Sequence, residues 1–206
     1  ADDQLFRLYM GTLAEQSADQ AEKSPVHQLF YHRLTGGRLQ RFYPDDLLFS
    51  LPNGASYPIA TVKQWQWVIN GKSYSLNLAQ LIERAITLLS PAQAGWSVVG
   101  HGDAHNANVF LDTNTQPASL IYFDPAFAGQ HHPLLDLTKP LFHNVFAMWM
   151  YYPKEKHAQT TITWDLRGNQ IIVEHDYALH AVRNVFLTSK VERVLKPLLL
   201  ALRQGR

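Results

Sequence analysis

The sequence of 206 residues contains no cysteine. Disulfide bonds and metal sites with thiolate ligands are therefore excluded. It also lacks any apolar run that approaches the ~18 residues of a membrane-spanning helix, and its N-terminus lacks a basic segment followed by an apolar one. The sequence therefore predicts no membrane segment, and a cytoplasmic location is the expectation.

An excess of charge of one sign is lacking as well, because 18 basic residues balance 17 acidic ones and the net charge is +1. Such a balance predicts no binding to nucleic acid or to anionic lipid. The hydrophobic fraction of 46% suits a single compact domain over residues 1–206. The chain opens with Ala1-Asp2-Asp3 rather than methionine, which indicates a processed product or a domain of something longer.

Periodicity and turn residues predict a mainly helical α+β fold with small β-hairpins. Helices are predicted where apolar residues recur with helical spacing, at residues 3–23, 25–34, 76–89, 133–150 and 177–202, the last of them interrupted or bent near Pro197. Residues 38–58 are rich in Pro, Asn, Asp and Gly and are predicted to form an ordered loop. Hairpins are predicted around Asn70-Gly71, around Arg167-Gly168-Asn169, and from Asn108 to Asp124.

Most of the polar chemistry lies in the segment Gly100-His101-Gly102-Asp103-Ala104-His105-Asn106-Ala107-Asn108. Asn108 begins one strand of the third hairpin and Asp124 ends the antiparallel partner, so their side chains are expected at the same end. Asp103, on the loop that leads to this end, adds a second carboxylate. Two carboxylates and an amide form an oxygen-rich set of the kind that Mg²⁺ prefers. In protein kinases an Asp, an Asn five residues later and a further Asp serve phosphoryl transfer, and Asp103 and Asn108 have that spacing.

The pattern His101-Gly-Asp103-x-His105-x-x-Asn108 resembles the catalytic-loop signature of the aminoglycoside phosphotransferase/choline kinase-like family. Asp124-Pro-Ala-Phe-Ala-Gly resembles the metal-binding segment of that family, and Leu135-Asp136-Leu137 resembles its Asp-Leu-Ala element. The resemblance covers roughly residues 76–150. It implies the C-terminal lobe of the protein-kinase-like fold, and an ATP-dependent phosphotransferase whose acceptor is a hydroxyl group of a small molecule.

The same resemblance implies roles for individual residues. Asp103 would be the catalytic base, and Asn108 and Asp124 would be ligands of Mg²⁺. Asn108 and His105 would also contribute to binding of the ATP cofactor. Structural support of the loop is implied for His101, His105 and Asp136, the last as an acceptor that ties the loop to the next helix.

Kinases of this type also have an N-terminal lobe, whose Gly-rich loop and strand lysine, paired with a helix glutamate, hold the phosphates. The sequence contains no G-x-G-x-x-G. Lys63 and Glu83 are a weak alternative for the ion pair, because only 20 residues separate Glu83 from Asp103, too few for the helices that precede a catalytic loop. The N-terminal lobe is therefore expected in the parent chain outside this sequence, or in a separate chain.

Two other functions stay open at this point. One is a metal-dependent hydrolase with an imidazole–carboxylate site made from His101, His105, Asp103, Asp124 and the pair His131-His132. The other is a non-catalytic binding module that keeps the kinase fold. The acceptor is not identified by the sequence; candidate pocket residues are His143, Trp149, Tyr151, Tyr152, Trp164 and Asp176.

Overall fold

The computed structural model of the protein describes residues 1–204. In chain order the α-helices are α1 (Asp2–Thr12), α2 (Ala18–Glu22), α3 (Pro25–Thr35), α4 (Arg38–Phe42), α5 (Ile59–Lys63), α6 (Leu78–Leu88), α7 (Pro133–Leu141), α8 (Met148–Tyr151), α9 (Pro153–Ala158), α10 (Ala181–Lys190) and α11 (Lys196–Arg203). The strands are β1 (Ala14–Gln16), β2 (Leu48–Ser50), β3 (Ser56–Pro58), β4 (Gln66–Ile69), β5 (Lys72–Ser73), β6 (Gly95–Gly100), β7 (Val109–Asp112), β8 (Ser119–Tyr122), β9 (Gly129–His131), β10 (Ile162–Arg167) and β11 (Gln170–His175). With 48% helix and 22% strand in small sheets, the predicted α+β class is confirmed.

The chain divides into two compact units. Unit 1 comprises residues 1–28, 91–153 and the segment from Ala178 onward, and unit 2 comprises residues 29–90 and 154–177. Within residues 1–204 no helix is both long and apolar enough to cross a membrane. The loop from residue 100 to residue 108 and the hairpin that follows it both belong to unit 1.

Unit 1 contains a three-stranded antiparallel sheet in which β6 lies between β1 and β9. Side chains from α1, β6, α7 and the C-terminal helices meet in its core, with Tyr9, Val98, Leu137, Val194 and Leu198 fully buried. Burial of an aliphatic side chain of this size contributes about 1.5–3 kcal/mol. The core therefore holds α7 against β6, and the candidate loop starts where β6 ends.

The hairpin β7–β8 forms a sheet of its own in unit 1. Val109 pairs with Tyr122 and Asp112 pairs with Ser119, so the predicted hairpin between Asn108 and Asp124 is confirmed. The pairing of Val109 with Tyr122 places the two residues just outside it, Asn108 and Phe123, next to each other.

Unit 2 is built on a four-stranded sheet with the order β10-β11-β4-β5, in which β11 and β4 are parallel. Its buried core consists of Leu51, Val62, Trp65 and Ile171. The predicted turn at Asn70-Gly71 is confirmed, with φ of +48° and +73°, the left-handed values that this type of hairpin turn requires.

Three predictions of secondary structure were wrong in part. The helix expected at residues 3–23 breaks after α1, because β1 pairs with β6 and Ser17 and Gln20 then form a capping box that starts α2. The loop expected at residues 38–58 contains α4 and the hairpin β2–β3. The helix expected at residues 133–150 is interrupted by a π-helical turn at Phe142–Phe146. The C-terminal helix begins at Ala181, and its π-helical turn at Val191–Leu195 lies just before Pro197, where an interruption or bend was predicted.

Candidate active site

The candidate loop begins at Gly100, and two glycines determine the path of its first residues. A Cβ atom at Gly100 would lie 2.6 Å from the carboxyl carbon of Asp136, so a larger residue would push this side chain away. Gly102 has a φ of +75°, and its N–H donates to Asp136 Oδ1 at 2.6 Å. The Gly-x-Gly sequence is therefore explained by the close approach of a carboxylate from α7.

Asp136 is 2% exposed, and its carboxylate also accepts hydrogen bonds from the Tyr9 hydroxyl and from His131 Nε2, the latter at 2.9 Å. Burial alone would raise the pKa of Asp136, but His131, Tyr9 and the Gly102 N–H together hold this pKa below its ordinary value of 3.8. Burial and the nearby Asp136 raise the pKa of Tyr9 well above 10.0. An ionised carboxylate therefore joins α1, α7 and the loop.

Two further histidines support the start of α7. His132 Nδ1 accepts from the Leu134 N–H at 3.2 Å and caps the helix, while His27 Nε2 accepts from the His132 N–H at 2.8 Å. Burial, with the neighbouring His131, lowers the pKa of both His27 and His132 from the ordinary value of 6.5. The neutral imidazoles thus serve as hydrogen-bond acceptors for the backbone that leads into α7.

These lowered pKa values predict a loss of stability in acid. The unfolded chain takes up protons near pH 6.5 more readily than the folded chain. The stability that neutral His27 and His132 contribute is therefore fully present above about pH 6.5, and it is lost as the pH falls through their lower folded-state pKa values. Each extra proton bound on unfolding adds about 1.4 kcal/mol per pH unit to the slope. His27→Gln keeps an acceptor but removes one titrating group, so we expect a flatter slope of unfolding free energy between about pH 6.5 and pH 5.

Urea unfolding at a series of pH values, followed by circular dichroism, measures this slope. The exposed His157, replaced by Gln, is the matched control and should keep the wild-type slope. Equal slopes for His27→Gln and the wild type would contradict a lowered pKa of His27 in the folded protein.

Asp103, the predicted base, is largely buried, with 14% of its side chain exposed. Its Oδ2 pairs with Lys139 Nζ at 2.7 Å, whereas its Oδ1 lies 3.5 Å from His105 Nε2. Oδ1 is buried and receives no hydrogen bond from the residues that the structure describes. The two oxygens of the carboxylate therefore differ, since one is paired with an ammonium group and the other is buried without a hydrogen bond.

Asn108 connects the loop to the hairpin. Its side-chain Nδ2 donates to the main-chain oxygen of Asp103 at 3.0 Å, and its own carbonyl accepts from the Phe123 N–H at 3.2 Å. Asp124 follows directly, in a left-handed conformation with φ of +57°, and its exposed carboxylate forms no hydrogen bond or ion pair within residues 1–204. Sparsely populated backbone conformations of this kind cluster at functional sites.

The two loop histidines have different contacts. His101 Nε2 lies 2.9 Å from the Phe123 carbonyl oxygen, which can only accept, so His101 donates and ties the loop to the residue before Asp124. His105 Nδ1 accepts from the Ala107 N–H at 3.2 Å and caps the short 3₁₀ turn that ends at Asn108. Both residues thus have a structural contact, and His105 is also the imidazole nearest to Asp103 Oδ1.

Sequence reasoning missed Lys139 and Asn144. Asn144 Oδ1 accepts from the Asn106 N–H at 2.9 Å, and its carbonyl accepts from Arg183 Nη1 at 2.5 Å. A signal for Lys139 was present, because Asp136 and Lys139 are the only charged residues in the apolar stretch from Pro133 to Phe142 and share one helix face.

The residues predicted to line the pocket of the acceptor substrate lie in different environments. In unit 1 His143 Nδ1 is hydrogen-bonded to the Tyr151 hydroxyl, and the His143 ring lies 4.9 Å from that of His105. In unit 2 Trp164 packs against the core, and Asp176 Oδ1 accepts from the Thr161 N–H at 2.7 Å. His143 thus contacts the loop through His105, and Tyr151 contacts His143, whereas Trp164 and Asp176 have structural partners.

The alternative sites are not assembled in residues 1–204. These residues hold no group of three His, Asp or Glu side chains placed to bind a metal, which the hydrolase interpretation needs, and His131 and His132 have the structural partners described above. Lys63 pairs with Asp45 at 2.8 Å rather than with Glu83.

The oxygens at this end of the hairpin are suited to a Mg²⁺–phosphate ligand. A buried carboxylate oxygen that accepts no hydrogen bond is unfavourable unless a ligand or a proton satisfies it, and Asp103 Oδ1 is such an atom. The amide of Asn108 and the exposed carboxylate of Asp124 are hard donors that fit Mg²⁺. Comparisons with family models, with curated proteins and with solved structures found no match, so the interpretation of this site depends on its own residues.

Proposed function

We propose that this chain is the catalytic lobe of an ATP-dependent phosphotransferase that phosphorylates a hydroxyl group of a small molecule. The observation that carries the proposal is the double link through Asn108, whose side chain binds the Asp103 carbonyl and whose own carbonyl binds the Phe123 N–H, next to Asp124. A base and two metal ligands at one end of a hairpin are the arrangement that phosphoryl transfer requires.

In this proposal Asp103 orients the acceptor hydroxyl and takes its proton while the hydroxyl oxygen attacks the γ-phosphorus of ATP. The oxygen–phosphorus bond forms as the bond to the β–γ bridging oxygen breaks, and ADP leaves with the electron pair. Asn108 and Asp124 would hold Mg²⁺, which supplies positive charge beside the β- and γ-phosphates when bound. His101 and Asp136 keep the loop in position through Phe123 and Gly102.

The proposal assigns the other half of the nucleotide site, a Gly-rich loop and a lysine, to an N-terminal lobe in the parent chain or in a separate chain. An exposed apolar face on the hairpin supports this assignment. Phe110 is 62% exposed, and Ile121, its cross-strand partner on the same face, is 50% exposed. Exposed apolar clusters of this kind suit contact with a ligand or with another domain.

Removal of the proposed metal ligand Asp124 tests the function. The wild-type chain is expected to bind Mg·ATP weakly, with a Kd on the order of millimolar, because it supplies only half of the site. Asp124→Asn should weaken this binding about tenfold and raise the Mg²⁺ concentration required, because one carboxylate charge on the metal is lost. Calorimetric titration with ATP at several Mg²⁺ concentrations measures both effects.

Asp112→Asn, at the far end of the same hairpin, is the control and should bind Mg·ATP as the wild type does. An unchanged Mg²⁺ dependence in Asp124→Asn would refute the metal-ligand role. Measurement of ADP in the same samples separates the enzyme from a non-catalytic module, which would bind Mg·ATP without forming ADP.

A further inference from the structure

Helix α7 and the π-helical turn after it hold the candidate loop through three side chains. In an unbroken α-helix, Asn144 would be rotated about 80° from Asp136, because eight residues of about 100° each separate them. The π-helical turn Phe142–Phe146 has more residues per turn and reduces this angle, which explains how both side chains reach one loop. The contacts are Asp136 to the Gly102 N–H, Lys139 to Asp103 Oδ2 and Asn144 to the Asn106 N–H.

Of these three side chains, Lys139 contacts a side chain, the carboxylate of Asp103, whereas the other two bind backbone N–H groups. Only 7% of its side chain is exposed, and its Nζ lies 2.7 Å from Asp103 Oδ2 and 4.6 Å from the centre of the Phe127 ring. Phe127 in turn packs against Gly102, beside the loop. The ammonium group is therefore confined between an aromatic ring and one oxygen of the carboxylate.

A buried ion pair is a poor means of stabilising a fold, because loss of hydration offsets much of the attraction between the charges. What such a pair does supply is a fixed orientation. The ammonium of Lys139 occupies Oδ2, so the carboxylate of Asp103 cannot rotate freely. Oδ1 accepts no hydrogen bond within residues 1–204 and lies 3.5 Å from His105 Nε2.

We infer that Lys139 is a positioning residue for phosphoryl transfer, and that Asp103 Oδ1 is the oxygen that receives the proton. This inference rests on the proposed function. The acceptor hydroxyl gives its proton to Oδ1 as its oxygen bonds to the γ-phosphorus, and ADP leaves. Lys139 holds Oδ2 and balances the charge of the carboxylate throughout, so that the ionised form of the base faces the hydroxyl.

Lys139→Met keeps the length of the side chain and removes its charge. We expect kcat for ADP formation to fall about 100-fold while the KM for Mg·ATP changes less than about threefold, because the base is misplaced and the phosphates are held elsewhere. Lys139→Arg restores a cation, so its kcat should be about tenfold higher than that of Lys139→Met. The reaction is measured with Mg·ATP and a panel of sugars, amino alcohols and choline, with water as the background acceptor.

Lys196→Met is the control, because Lys196 forms an exposed ion pair with Glu192 and should keep wild-type kinetics. Circular dichroism verifies the fold of each variant. If Lys139→Met does not fold, Lys139→Arg decides: a reduced kcat with normal KM supports the inference, and wild-type kcat overturns it. Wild-type kcat in a folded Lys139→Met also overturns the inference alone. Absence of ADP formation by the wild-type parent protein, with both halves of the nucleotide site present, refutes the proposed function and the inference together.

Discussion

Asp103→Asn, made in the parent protein that has both halves of the nucleotide site, is expected to lower the rate of phosphoryl transfer from Mg·ATP by a factor of about 10²–10⁴, the range typical for loss of a general base. The amide preserves the size of the side chain but does not accept the hydroxyl proton. ATP binding should change little, because the phosphates and the metal are held by other groups. ADP formation with the acceptor panel, analysed for kcat and for the KM of ATP, measures both quantities.

The same substitution leaves the buried Lys139 without its partner, so the fold of the variant has to be compared with the wild type by circular dichroism. Asp112→Asn is the matched control on the hairpin. Asp112 Oδ1 accepts from the Asn114 N–H at 2.9 Å, and the amide oxygen of Asn preserves this contact. Full activity in a folded Asp103→Asn protein would show that this loop is not catalytic.

Gly102→Ala is expected to destabilise the protein by about 2–5 kcal/mol. About 1–2 kcal/mol comes from the left-handed backbone at φ of +75°, and about 1–3 kcal/mol comes from overpacking. A Cβ atom here would lie 2.5 Å from the Phe127 carbonyl oxygen and 2.7 Å from Val26 Cγ2, so backbone would have to move. Urea unfolding of the intact chain measures the loss, which is a large part of typical domain stability.

Gly37→Ala separates the two causes. Gly37 has nearly the same φ, +79°, but a Cβ atom there would meet no atom within 4 Å. This variant should therefore lose only the backbone contribution of about 1–2 kcal/mol. Equal losses at both positions would mean that the close packing of Gly102 against Phe127 and Val26 is unimportant.

The fold was most predictable where short-range signals act alone. The turn at Asn70-Gly71 and the hairpins around Gly168 and between Asn108 and Asp124 were predicted, because turn residues and strand alternation operate over a few neighbours. The single helix expected at residues 3–23 was wrong only in its middle, at residues 13–17, because residues 18–22 are helical again as α2. Its continuation competes with pairing of β1 to β6, a partner more than 80 residues away, as Ser97 Oγ bonded to the Ala14 carbonyl across 83 residues illustrates.

Like the fold, the candidate site was predictable from the sequence only in part. The loop and the hairpin that carry Asp103, Asn108 and Asp124 were identified from the sequence, and their roles remain predictions until the kinetic tests are done. Lys139 and Asn144 were missed, because the local sequence around a single lysine or asparagine in an apolar helix does not predict which distant residue it contacts.

The sequence by itself determined the set of oxygen donors, the hairpin that places Asn108 and Asp124 at one end, and the glycines that the loop requires. Only the tertiary structure decided the environment of each carboxylate, that is, its burial and its partners. Packing of α7 against β6 buries Asp136 under three donors, pairs Asp103 Oδ2 with Lys139 and leaves Asp124 exposed. The reason is that important partners of these charges are distant in the sequence. Gly102 lies 34 residues and Tyr9 lies 127 residues from Asp136, and such separations are beyond the reach of periodicity and turn chemistry.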